Sequence, residues 1–152
     1  MIAIFVDADA CPVKDEVYVV ATRHGVRVAV VANAPIFVPR DLGAELVVVG
    51  REPDAADDWI AAQVRAGDVV VTADIPLAAR CLAAGARVLG SDGRPFHEEM
   101  IGGALATREL KQDLRAMGVA GGGPRPLAPK DRSRFASRLD QMVQASLREA
   151  AD

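Results

Sequence analysis

Aromatic side chains are scarce: one Trp, one Tyr and four Phe make up 4% of the 152 residues. Val, Ala, Leu and Ile must therefore build the core, and there are few platforms on which bases could stack. Cysteine is almost missing as well. Cys11 and Cys81 match no metal-ligand spacing, and two thiols in a chain this long make no disulfide framework, so a reducing compartment is expected. No apolar run approaches the ~20 residues of a membrane span, and no basic leader precedes the first strand. The expectation is a soluble cytoplasmic protein with no membrane partner. Positive charge is also in deficit. A net charge of −3 and a pI near 5.4 exclude wholesale electrostatic capture of nucleic acid and leave room only for a local basic patch.

What the sequence does have is apolar strand-like runs that end at acids. Hydrophobic residues make up 51% of the chain, ample for one domain spanning residues 1–152. Ile2 to Val6 is a short β-branched run that stops at Asp7-Ala-Asp9, before Pro12. It reads as a strand buried on both faces. Val13 to His24 has a helical stripe of Val13, Val17, Val20 and Ala21, closed by Gly25. Further strands are expected at Val26 to Ala32, Glu45 to Val49, Asp68 to Thr72 and Arg87 to Gly90. A helix from Pro53 to about Ala66 is capped by Asp54 with Asp57 three residues on, and another starts at Ile75-Pro76 and runs to about Ala84.

Continuous apolar strands alternating with helices predict an α/β fold, a three-layer parallel sheet of about five strands with helices on both faces; the order 3-2-1-4-5 is the one that the family resemblance set out below implies. From Pro95 onward strands should cease. Helices are expected over Glu98 to Leu105 and Thr107 to Gly118, then a Gly/Pro-rich linker at 118–130. A last helix over Asp131 to Glu149, with Phe135, Leu139, Met142 and Leu147 on its apolar face, should dock on the domain.

In open parallel sheets, ligands collect beyond the carboxyl ends of the strands where strand order reverses. With order 3-2-1-4-5, Asp7 and Asp9 after strand one face Asp74 after strand four. Asp57 shares an inward stripe with Ile60 and Val64, whereas Asp58 points outward. Clustered carboxylates are costly unless a cation bridges them or one is protonated. An oxygen-only set, with neither His24 nor His97 placed as a ligand, suits Mg²⁺ or Mn²⁺ rather than Zn²⁺. Such a centre clamps a phosphate and lowers the pKa of a bound water, without a nucleophilic side chain. Lys14, Arg40, Arg108, Lys130 and Arg132 are the candidate cations for the substrate. Cys11 stands where a helix N-terminus could activate a thiol, but Val17 occupies the position where a phosphate-binding loop of the tyrosine phosphatase kind would want arginine.

Asp7-Ala-Asp-Ala-Cys-Pro-Val-Lys14, Val31-Ala-Asn33, Ala56-Asp57, Thr72-Ala-Asp-Ile-Pro-Leu-Ala78, Thr107-Arg108, Gly122-Gly-Pro124 and Asp131-Arg132 with Phe135 resemble the YaiI/YqxD family over nearly the whole chain. That family is grouped with PIN-like domains, metal-dependent nucleases with an acidic cluster at the end of a parallel sheet. The resemblance implies Asp7, Asp9, Asp57 and Asp74 as metal ligands and catalytic residues, Lys14, Asn33, Arg108 and Arg132 on the substrate side, and RNA as substrate. Asp92, after strand five, is a position where PIN domains can carry another acid. Two other readings stay open. Asp-x-Asp after a strand also resembles the nucleophile motif of haloacid-dehalogenase phosphatases, where Asp7 would attack phosphorus, Asp9 would act as acid and base, and Asp68 with Asp74 would echo the later acidic motif. The third reading is a non-catalytic RNA-binding or regulatory module.

Overall fold

The computed structural model describes residues 2–52, 54–97 and 127–151. Its centre is β1 (Ala3–Asp7), which pairs in parallel with β2 (Arg27–Ala32) on one side and β4 (Val69–Val71) on the other. Side chains alternate across a strand. Ile4 and Val6 accordingly enter one core and Phe5 the other. The first core is closed by α1 (Lys14–His24) and a C-terminal helix, α4 (Pro129–Ala151); the second by α2 (Ala55–Gln63) and α3 (Ile75–Ala83). Helices therefore cover both faces, as the continuous apolar strands require.

With β3 (Ala44–Val48), β5 (Arg87–Leu89) and β6 (Pro95–Phe96), the sheet has six strands in the order β3-β2-β1-β4-β5-β6. The five-strand order expected from the sequence holds. The expectation that strands end before Pro95 does not, because β6 pairs antiparallel with β5, Phe96 opposite Val88. Pro95 hides that strand in the sequence; it has no N–H to donate, which an edge position tolerates. The hairpin closes through Gly90 N–H to the Arg94 carbonyl at 2.9 Å, with Gly93 at φ 84°.

Asp54 occupies the N-cap of α2 as expected, although its carboxylate makes no capping bond. The same helix stops at Gln63 instead of running to Ala66, since Val64 turns extended and buries its side chain. At the C-terminus, α4 starts two residues earlier than expected, with the buried Asp131 carboxylate accepting from Ala128 N–H at 2.9 Å. Phe135, Leu139 and Val143 are fully buried, while Met142 and Leu147 are half-buried. Arg132 meets Pro12 and Glu16 at the start of α1, and Asp140 meets His24 and Arg23 at its end. Hence α4 runs alongside α1 from the carboxyl edge of the sheet to the amino edge. The two helices expected over 98–118 and the linker up to residue 126 lie outside the described residues.

Candidate acidic site at the carboxyl edge of the sheet

Asp7 ends β1 and is buried, at 7% exposure. A carboxylate buried to that degree needs a donor. Thr72, directly after β4, supplies it: its Oγ1 donates to Asp7 Oδ2 at 3.1 Å and accepts from Asp74 N–H at 3.0 Å. One hydroxyl thus ties the ends of the two strands together. Asp74 is the N-cap of α3, its Oδ1 accepting from Leu77 N–H at 2.9 Å. Asp9 lies exposed in a 3-10 turn, Ala8–Ala10, that leads the chain out of β1. Asp57 is half-buried in the first turn of α2 while Asp58 is exposed, so the inward stripe read from the sequence is correct.

The electrostatics show that three of these groups share one environment. Burial, followed by the charges of Asp9 and Asp74, pushes the Asp7 carboxyl up, against the lowering effect of the Thr72 hydrogen bond. Burial also raises Asp57, to about 6, helped by Asp74, Asp7 and Asp54 and opposed by Arg80. Arg80 itself bonds Asp58, at 2.8 Å. No ion pair within 4 Å joins Asp7, Asp9, Asp57 or Asp74 to a cation among the described residues. The acids are near enough to feel one another, yet among the described residues no three His, Cys, Asp or Glu side chains are already gathered as a ligand set.

The other sequence candidates divide. Lys14 turns its Nζ onto the Cys11 carbonyl at 2.8 Å, within the loop that carries Asp9. Arg132 donates to the Pro12 carbonyl at 3.1 Å and pairs with Glu16 at 3.2 Å, so both cations grip loop backbone. Asn33 is exposed just after β2, and Arg108 lies outside the described residues. Arg40 and Lys130 are exposed. Asp92 is exposed and accepts from Arg94 N–H at 3.0 Å, within its own turn. Asp68 is buried at the opposite, amino edge, accepting from Ala3 N–H and Arg65 N–H at 2.9 Å each. That placement removes it from any partnership with Asp7.

His24 is half-buried against Asp140 at 2.6 Å, away from the acids at the carboxyl edge. Cys11 is buried at 2% exposure, and burial pushes its thiol up to about 11, the opposite of an activated nucleophile. Sequence reasoning assigned no role to Thr72. The signal that could have found it was its place two residues before Asp74, the spacing at which a Thr hydroxyl bonds a nearby backbone N–H. Three grooves among the described residues lie away from the acids: one is lined by the β5–β6 edge and α4, another by the loop around Phe37, and a third opens at the amino edge near Asp68.

A family model described as "Uncharacterized BCR, YaiI/YqxD family" matches residues 5–145. Among curated proteins, the chain is 58% identical over 142 residues to a UPF0178 protein of Azorhizobium caulinodans, covering 93% of this chain and 89% of that one. It is 56% identical over 149 residues to a UPF0178 protein of Bradyrhizobium diazoefficiens, covering 98% and 89%. A UPF0178 protein of Rhodospirillum rubrum is 53% identical over 143 residues, covering 93% and 95%. No solved structure matches the chain.

Proposed function

The chain belongs to the YaiI/YqxD family, and from that premise and its acidic edge we propose that it is a metal-dependent phosphodiesterase of the PIN-like kind, acting on RNA. One observation carries the reading. Asp7, Asp57 and Asp74 come from three elements to the carboxyl edge of a parallel sheet, where the charge of Asp74 helps burial to raise the carboxyls of Asp7 and Asp57, and none of the three pairs with a cation among the described residues. Structural acids are ordinarily paired or solvated; a partly buried acidic group lacking a counter-charge favours the binding of one.

The donor set fits a hard divalent ion, Mg²⁺ or Mn²⁺. Among the described residues Asp7 receives a hydrogen bond on Oδ2 only, Asp9 is exposed, and all the donors are carboxylate oxygens. Asp7, Asp9, Asp57 and Asp74 would hold the ion, which when bound supplies Lewis-acid activation of a phosphate and of a water. The chain's own contribution is positioning. Thr72 orients Asp7 and anchors the turn into Asp74, and Lys14 and Arg132 pin the carbonyls of Cys11 and Pro12 that follow Asp9. Asn33, exposed after the neighbouring strand, and Arg108 complete the substrate side of the proposal. Of the later acidic motif that the phosphatase alternative would use, Asp74 lies at the carboxyl edge while Asp68 is committed to backbone N–H groups at the far edge, which favours the phosphodiesterase reading.

The test compares labelled single-stranded RNA, single-stranded DNA and an aryl phosphate, each with Mn²⁺ or with EDTA, for wild type and Asp74→Asn. Asn keeps the cap on α3 while removing the charge. RNA cleavage that requires both Mn²⁺ and Asp74 is the expected outcome. Turnover of the aryl phosphate alone would favour the phosphatase, and RNA binding without turnover the regulatory module.

A further inference from the structure

Along the solvent face of α4, Lys130, Arg134 and Arg138 recur every four residues, and all three are exposed. On a helix this spacing stacks them in one row, about 6 Å apart. Like charges so placed repel, and a surface helix ordinarily intersperses acids among them. Here the acids of α4 are all spent elsewhere: Asp131 bonds Ala128 N–H, Asp140 holds His24 and Arg23, and Glu149 holds Arg87. None of the three cations has an acidic partner among the described residues. In a chain of net charge −3, a bare cationic row is a local exception.

Its position matters as much as its charge. The start of α4 lies at the carboxyl edge, where Arg132 touches Pro12, three residues past Asp9, and the Phe135 backbone packs on Gly93 in the turn after β5. The stem of Arg134 lies against Gly93 in that same turn, one residue before Arg94, an exposed cation whose Asp92 contact is long, at 3.7 Å. Farther along, Arg138 walls a groove of about 370 Å³ whose lining includes Leu89, Phe96 and Met142.

We propose that this row is a docking ridge for the phosphate backbone of single-stranded RNA, leading the strand from the groove beside Arg138 toward the acidic edge. The inference rests on the phosphodiesterase reading for the direction of travel, and on charge complementarity for the partner. A row of cations along one helix, beside an apolar groove that can receive a base, tracks a single strand without reading its sequence.

Binding is measured without turnover, by fluorescence anisotropy of a labelled single-stranded RNA in EDTA across a salt series. Wild type is compared with Lys130→Gln/Arg134→Gln/Arg138→Gln and with a control of equal charge change, Arg27→Gln/Arg51→Gln/Arg65→Gln, exposed residues away from α4. Since all six side chains are exposed, circular dichroism should show both variants folded. The ridge variant should bind more weakly, and the slope of log affinity against log salt should flatten by roughly 2, at about 0.7 for each phosphate that is no longer neutralised. The control should keep the wild-type slope. Equal weakening in both variants, or no binding by wild type, would overturn the proposal. The two readings fail separately: RNA bound through the ridge but never cleaved in Mn²⁺ sinks the nuclease alone, whereas cleavage with unchanged KM in the ridge variant sinks the ridge alone.

Discussion

Asp57 is where the acidic edge should be felt in solution without any substrate. Burial and the neighbouring Asp74 and Asp7 raise its carboxyl to about 6 in the folded protein, well above the unfolded value near ~3.9. The folded state therefore prefers the neutral acid. The stability linked to this group is fully present below the unfolded value and is lost as pH rises through about 6. Asp7 shifts in the same direction. Asp140, lowered chiefly by its hydrogen bond to His24, acts oppositely, but its stability is lost only as pH falls through its lowered value, beneath this window. Melting temperature in EDTA should consequently rise as pH is lowered from about 7.5 to about 5. Asp57→Asn should flatten that rise. A melting temperature that falls over the same range in wild type would show that the acids carry no mutual strain.

At the scale of the element, α4 decides whether the C-terminus belongs to the domain. Two kinds of contact hold it, and their magnitudes differ. Phe135, with no exposed surface, sits in the same core as Ile4, Val17 and Leu139; truncation to Ala should cost about 3–5 kcal/mol. The Arg132–Glu16 pair is partly solvated, with the Arg side chain 42% exposed, and such pairs contribute at most about 1 kcal/mol. Urea denaturation of Phe135→Ala and Arg132→Gln should rank them in that order. A reversed ranking would mean that charge, not apolar packing, docks the helix. The apolar face was legible beforehand in Phe135, Leu139, Met142 and Leu147, because helical periodicity is local. Val143 and Ser146 were not, since which part of a wide stripe faces inward depends on the tilt of α4 against α1.

For the whole molecule, a divalent ion that binds only the folded state should stabilise it by mass action, by about 2.7 kcal/mol at a hundredfold excess over Kd. Mn²⁺ should thus raise the melting temperature of wild type and leave Asp7→Asn nearly unmoved, while in EDTA that variant should be at least as stable as wild type. An equal Mn²⁺ shift in both would place the ion elsewhere. The sequence by itself determined the layered α/β architecture, because continuous β-branched runs can be satisfied only by burial on both faces. It also put Asp7 and Asp74 directly after strands. Only the tertiary structure decided what those carboxylates meet. The Thr72 bond to Asp7 spans 65 residues and exists because β1 and β4 are neighbours in register. The same pairing brings Asp68 to the opposite edge, 65 residues from the Ala3 N–H it accepts from. Arg132 reaches Pro12 across 120 residues. Periodicity within a segment is written in adjacent residues, whereas a side chain's partner is set by how distant segments are stacked, and no local pattern encodes that.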